Sequence, residues 1–390
     1  MKKYYKIIYI FLLLIINKSF NDGETKVFLK KLIYKRECNF PTLLFLNKLL
    51  NLNVDIKNNS ILILEPFRYH YECTPGFSKY FIDLGYDVDI VMNNFGITSF
   101  CFFEPIEKIR FFLYENLDYF KENIDNFSII FNKYNYLLIE TTEPKEIILF
   151  DNLNLLNINH SIFVFHHIDY LNKLPFTKKL TRNQIWSLGK FPFGKQVNPH
   201  FFGYLKYKRK NRITKFFMTS TIRRNYELVI STVEKIKSEK FKFRFIVIGK
   251  SKTFTKSSIM KQLRNNFSFK YNVTYSELYK EVYDSDYIIL NLVPNNIYDT
   301  RFTKIRVTGS VQLAYGFLKP VIIHQDFAKI YNFNSSNSFI YDDSNFLSIM
   351  KDAINLDNAR YQKMKENILL LSKDIYHKSL FNVNNSLNRI

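Results

Sequence analysis

Four short clusters carry side chains able to do chemistry. In Arg68-Tyr69-His70-Tyr71-Glu72-Cys73 an imidazole and a carboxylate stand two residues apart, just beyond a short apolar run. His166-His167-Ile168-Asp169 repeats the arrangement after a second apolar run. Imidazoles exchange protons near neutral pH and carboxylates accept them. His70, Glu72, His166, His167 and Asp169 are therefore candidates for general acid–base work or for holding a ligand hydroxyl. Loop capping is the plainer use of His70 and Glu72, and one of the two adjacent histidines is expected to be structural. Thr308-Gly309-Ser310 opens an apolar helical stretch. Its glycine lets backbone approach an anion, and its N–H groups and hydroxyls form a cradle, unless Ser310 is simply a helix cap. Lys304 and Arg306 precede that turn within reach of the same anion, and Arg223-Arg224-Asn225 puts two further cations at a helix start. No metal centre is expected: H-x-x-x-H is absent, and Asp87-Val88-Asp89 reads as strand alternation.

The elements that must position these groups need a sizeable chain. Its 390 residues suit two domains of ~150 to 190 residues, and 47% hydrophobic content excludes wholesale disorder. Ten glycines and ten prolines exclude fibrous and low-complexity classes. A net charge of +21 favours anionic partners. Residues 1–37 hold nine basic and three acidic side chains, and a second basic cluster runs from Lys206 to Lys215. No zinc-finger, RNA-recognition or helix-turn-helix signature accompanies them, so nucleic acid is not an expected partner. Cys38, Cys73 and Cys101 are odd in number and widely spaced, which argues against a disulfide framework and suits a reducing compartment. The apolar run Ile7–Ile16, preceded by Lys2, Lys3 and Lys6, is too short to span a bilayer. An interfacial helix on anionic lipid, a signal or anchor, and a packed structural helix remain open for it.

Beyond this basic extension, Ser60–Leu64 reads as a buried parallel strand, the stretch opened by Thr74-Pro75-Gly76 as a helix, and Asp87–Met92 as the next strand. Ile106–Phe120 and Lys145–Asn157 read as helices, and Tyr136–Glu140 and Ser161–Phe165 as strands. The rhythm resumes after a boundary near residue 205. Strands are expected at Lys215–Met218, Phe243–Ile248, Tyr287–Leu292, Pro320–Ile323 and 339–341. Helices are expected at Arg223–Ser238, Ser276–Ser285, Ser310–Phe317 and Asn358–Tyr376. Two halves that each alternate strand and helix imply an α/β chain of two doubly wound Rossmann-like domains facing a cleft.

The second half resembles a known family. Phe216–Met218 followed by Ile222-Arg223-Arg224-Asn225 is similar to the opening of the donor domain in glycosyltransferases of the two-Rossmann, or GT-B, architecture. Phe245–Gly249 resembles that domain's next strand, and Ser276–Lys280 with Tyr283–Ile288 resembles its "sxxELyxxlxxaDvxv" stretch. Gly309–Gly316 followed by Lys319-Pro320-Val321-Ile322 resembles its nucleotide-site helix and the strand after it. The likeness runs from Lys215 to Ala353; in the first half only His166-His167-Ile168-Asp169 and the loop Glu65–Gly76 resemble the family's sugar- and acceptor-facing segments. Many retaining members carry two glutamates eight residues apart, a spacing that falls here on Lys304 and Gln312.

The resemblance implies a basic extension (1–57), an acceptor domain (58–205), a donor domain (206–357) and a helix crossing back (358–390). It implies a metal-independent, group 1-like hexosyltransferase that moves a sugar from a nucleotide-sugar donor to a glycan or glycolipid acceptor in surface polysaccharide synthesis. The nucleotide sugar is a substrate, and no cofactor is expected. Such an enzyme must stabilise charge on a departing diphosphate, which points to Arg223, Arg224, Asn225, Gly249, Lys304, Arg306, Thr308, Gly309 and Ser310 as the donor set. A cytoplasmic place at the inner face of a membrane, reached through residues 1–37, goes with it. The alternatives are another enzyme on this scaffold, such as a nucleotide-sugar 2-epimerase, or a degenerate membrane-attached binding protein.

Overall fold

The computed structural model describes residues 43–45, 55–67, 70–93, 95–103, 108–114, 124–142, 159–173, 175–191, 194–199, 213–220, 226–249 and 261–390. The chain divides into two compact units, Met1–Pro199 with Leu380–Ile390, and His200–Ser379. The division falls a few residues before the expected boundary. It also splits the closing segment, most of which belongs with the second unit.

In the first unit eight parallel strands lie in the order β1-β4-β3-β2-β5-β6-β7-β8. They are β1 (Leu43–Phe45), β2 (Ser60–Glu65), β3 (Asp87–Asn93), β4 (Ile109–Tyr114), β5 (Tyr136–Ile139), β6 (Ser161–Phe165), β7 (Ile185–Ser187) and β8 (Lys195–Gln196). Described helices are α1 (Thr74–Asp83), α2 (Ile124–Phe131) and α3 (Asp169–Lys173). Every residue of β2 is buried, as expected for an apolar strand covered on both faces. Asp89 of β3 is tolerated because Arg110 Nε and Nη2 each donate to its carboxylate at 2.7 Å and the Tyr134 hydroxyl donates at 2.6 Å.

Two expectations need correction here. Ile109–Tyr114, read as part of a helix, is a central strand: its apolar run is short and all but Arg110 are buried, a pattern that periodicity alone assigns poorly. Leu43–Phe45, placed in the extension, pairs in parallel with β4, so the sheet begins inside that stretch. The helix read over Lys145–Asn157 lies outside the described residues. Cysteine also departs from expectation: Cys101 is disulfide-bonded, whereas Cys73 is free and buried.

The second unit is a six-stranded parallel sheet in the order β11-β10-β9-β12-β13-β14. Its strands are β9 (Thr214–Ser220), β10 (Phe243–Gly249), β11 (Phe267–Tyr271), β12 (Tyr287–Leu290), β13 (Val321–His324) and β14 (Ser338–Tyr341). Its helices are α4 (Tyr226–Ser238), α5 (Tyr275–Asp284), α6 (Arg301–Lys304), α7 (Gly309–Gly316), α8 (Gln325–Ala328), α9 (Phe346–Asn355) and α10 (Asn358–Leu387). The apolar stripe of α4 and the inner face of α9 close one side of the sheet around Phe216, Phe245, Tyr287 and Tyr361. Helix α5 starts on a capping box in which Thr274 and Glu277 satisfy each other's backbone N–H. The last residues of α10 belong with the first unit, where Val383, Ser386 and Leu387 are buried and Ser386 Oγ accepts the Trp186 indole N–H at 3.0 Å. Among the described residues no helix is long and apolar enough to cross a membrane.

Candidate active site

In an open parallel sheet, ligands bind beyond the carboxyl ends of the strands where the order reverses. In the first unit that point lies between β2 and β5. Glu65 ends β2, Glu140 follows β5, and His166 follows β6. Glu65 and Glu140 are fully buried. Glu65 is fixed, its Oε1 accepting the Phe67 N–H at 2.8 Å and its Oε2 the Thr141 hydroxyl at 2.6 Å. Neither oxygen of Glu140 has a hydrogen-bond partner. The Thr74 hydroxyl is near enough to favour its charged form, yet completes no bond of normal geometry. Burial pushes the Glu65 carboxyl well above the usual carboxylate range, and the neighbouring Glu140 adds to the rise. Burial likewise raises Glu140, with Glu72 repelling its charge. The Cys73 thiol is pushed up by burial and by all three glutamates.

Two histidines join this cluster. His70 sits in the left-handed region (φ 65°), in the turn closed by the Cys73 N–H donating to the His70 carbonyl at 2.8 Å. That turn lays its ring on His166, with centroids 3.9 Å apart and planes 16° from parallel. His70 Nδ1 stands 3.6 Å from Glu72 Oε1. His166 Nε2 lies 3.0 Å from the Glu140 carbonyl; because that oxygen only accepts, Nε2 carries the proton and Nδ1 is the basic nitrogen of the neutral ring. His167 forms another pair, with Nδ1 3.7 Å from Asp169 Oδ2 and its ring stacked on Tyr170 at 4.8 Å. The structure thus gathers His70, Glu72 and His166, while His167 and Asp169 partner each other. Sequence reasoning missed Glu65 and Glu140 as site residues. The available signal was an acid closing a wholly apolar run, in Ser60–Glu65 and again in Tyr136–Glu140.

The second unit reverses its strand order between β9 and β12. Helix α7 begins there. Thr308 is its N-cap in an extended conformation (φ −83°, ψ 134°), and its side chain makes no capping bond. The Val311 N–H donates to the Thr308 carbonyl at 3.0 Å, leaving those of Gly309 and Ser310 without a partner inside the helix. Ser310 Oγ lies 3.3 Å from Thr219 Oγ1, which ties the helix start to the end of β9. Gly249 ends β10 in register with Ser220, on the same edge. Lys304 is exposed in α6, and the Arg306 guanidinium lies 5.0 Å from the centre of the Phe302 ring. Arg223, Arg224 and Asn225 lie outside the described residues.

Two further polar groups here were not foreseen. Gln312, one turn into α7, is buried with neither amide atom bonded. His324 ends β13, where its Nδ1 accepts the Asp326 N–H at 3.3 Å and its Nε2 lies 3.4 Å from Asp343 Oδ1. A histidine closing the apolar run Val321–His324 follows the pattern of His166 after β6. Among the described residues no three histidine, cysteine or acidic side chains come together to hold a metal ion.

No protein-family model matches this chain, and no curated protein matches it. Solved structures do. HepE from Anabaena, solved in complex with UDP and glucose, is 12% identical over 85% of this chain and 100% of its own, with a TM-score of 0.52. E. coli ADP-heptose LPS heptosyltransferase II is 7% identical over 80% of this chain and 99% of its own, with a TM-score of 0.43. A Listeria monocytogenes protein assigned as a UDP-N-acetylglucosamine 2-epimerase is 9% identical over 80% and 91%, with a TM-score of 0.47. Two parallel sheets, each with its helices and its own point of strand reversal, give this chain the two Rossmann-like domains of the GT-B glycosyltransferase fold.

Proposed function

We propose that this chain is a metal-independent glycosyltransferase, moving a sugar from a nucleotide-sugar donor held by the second unit to a glycan or glycolipid acceptor held by the first. The observation that supports this reading best is the start of α7, tied to the end of β9 through Ser310 and Thr219 at a point of strand reversal. A helix start with unused N–H groups suits a diphosphate, whose charge grows as the sugar leaves. Thr308, Gly309, Ser310 and Gly249 would line that anion, and Lys304, Arg306, Arg223 and Arg224 would supply cations. At the acceptor, a carboxylate or imidazole of the first unit takes the proton of the attacking hydroxyl. That oxygen bonds to the anomeric carbon, and the bond from that carbon to the diphosphate breaks, its electron pair leaving with the nucleotide. Surface polysaccharide synthesis, at a membrane met through residues 1–37, is the setting that fits the basic extension. A thermal-shift screen with UDP, GDP and ADP tests the reading: one nucleotide should stabilise the chain, and incubation with its sugars should release it. Silence with all three would count against any donor site.

A second reading has one observation in its favour. A nucleotide-sugar 2-epimerase needs carboxylates and histidines to move a carbon-bound proton, and Glu65, Glu72, Glu140, His70 and His166 form such a group. Deuterium entering the sugar at C2 from heavy water would select this reading; nucleotide released with the sugar transferred and no deuterium would select transfer.

A further inference from the structure

The first unit gathers more buried carboxyl groups at its strand reversal than its neighbours pair. Glu65 and Glu140 are fully buried, Glu72 acts on both, and neither Glu65 nor Glu140 meets a lysine or arginine among the described residues. Glu65 has a donor on each oxygen, so its place is set by the protein itself. Glu140 has none on either. Beside it stands the fully buried Thr74 hydroxyl, near enough to Glu140 to favour its charged form but completing no bond of normal geometry. Buried polar atoms almost always find partners. Two that lack them, side by side where such sheets take their ligands, mark a place for a group the protein does not supply.

Chemistry narrows that group. Once ionised, Glu140 only accepts, so a partner that draws out its charged form must donate. A hydroxyl brings one donor and no charge, an ammonium brings three donors and a full positive charge, and a phosphate would be repelled. The start of α1 contributes only a partial positive charge. His70 and Glu72, with side chains 30% and 22% exposed, are the members of the cluster that reach solvent.

We propose that the first unit binds an ammonium-bearing ligand, an amino sugar or a glycan carrying one, with its ammonium between Glu140 and Thr74. Only the ligand's part as acceptor rests on the transfer reading; its binding is tested separately. Glucosamine, N-acetylglucosamine, glucose and glucose 6-phosphate are titrated into the full chain by thermal shift and calorimetry. Glucosamine should stabilise it saturably, at least about tenfold more tightly than glucose, since hydrogen bonds to charged groups are the stronger. Binding should release a proton, seen as a heat that varies with the buffer. Glu140→Gln should abolish the response and Thr74→Val should weaken it, while circular dichroism and the nucleotide response report an intact fold. Equal responses to glucose or N-acetylglucosamine, a glucosamine response that survives Glu140→Gln, or silence with all four sugars would overturn the proposal. If Glu140→Gln does not fold, Thr74→Val decides, and an unchanged response to glucosamine counts against the site. A chain that answers a nucleotide but not glucosamine keeps the transfer reading and loses this one.

Discussion

Glu65 and Glu140 have the same chemistry, the same burial and opposite situations. One is held by a backbone N–H and a hydroxyl, the other by nothing. For both, burial raises the folded-state pKa above the ordinary value of 4.5, so the folded chain keeps protons that the unfolded chain has released. The stability this contributes is complete below about 4.5 and is lost as pH climbs through the raised value. Glu140→Gln, which cannot ionise, should flatten that loss and raise neutral-pH stability by roughly 1–3 kcal/mol. Urea midpoints at pH 5 and pH 8 check it: the variant's midpoint should fall less than that of the parent chain, Glu65 still titrating in both. The site was half legible at this scale. His70, Glu72 and His166 announce themselves by type and by following apolar runs. Glu65 and Glu140 were hidden because each reads as the polar end of a strand, and only the pairing of β2 with β5 makes them neighbours.

Among the elements, α1 is placed by contact as much as by pattern. A methyl added to Gly76 would stand 2.5 Å from the Pro199 carbonyl carbon, closer than any relaxed side chain allows. Gly76→Ala should therefore cost roughly 1–3 kcal/mol in chemical denaturation, a large penalty for one methyl group. The crossover from β12 to β13 carries a different strain. Lys319, just before β13, donates to the Tyr283 carbonyl at 2.7 Å and the Ser285 carbonyl at 2.5 Å, yet burial and then Lys365 bring its pKa down to about 7. Between pH 7 and the ordinary 10.5 the unfolded chain binds more protons here than the folded one, so this lysine makes stability rise with pH across that window. Lys319→Met should remove that rise, read as denaturation midpoints that no longer climb from pH 7 to pH 10. Strand–helix alternation was plain from apolar runs such as Ser60–Leu64 and from the stripe of α4. Ile109–Tyr114 deceived because six residues show no period long enough to separate strand from helix. The strand Phe267–Tyr271 passed unnoticed because it is an edge strand, mostly half-buried and polar at alternate positions.

At the scale of the molecule, the two parallel sheets were legible because each half repeats one rhythm, whereas a crossing back of residues 358–390 came only as an implication of the resemblance. Nothing in Leu380–Ile390 says that it belongs with strands two hundred positions earlier. Tyr136 donates its hydroxyl to the Leu387 carbonyl at 2.9 Å, and Asn382 Nδ2 donates to the Gln196 carbonyl at 2.9 Å. Trp186 is the chain's single tryptophan and is fully buried against Ser386. Removing residues 380–390 should expose that indole, shift its emission to the red and lower the denaturation midpoint of the first unit; unchanged emission would show the tail to be dispensable. The same arrangement bears on synthesis. Domains near the amino terminus ordinarily finish folding while translation continues. Here the first unit leaves the ribosome before the residues that bond Trp186 and Tyr136 exist, so its last contacts form only once Ser386 and Leu387 have been made.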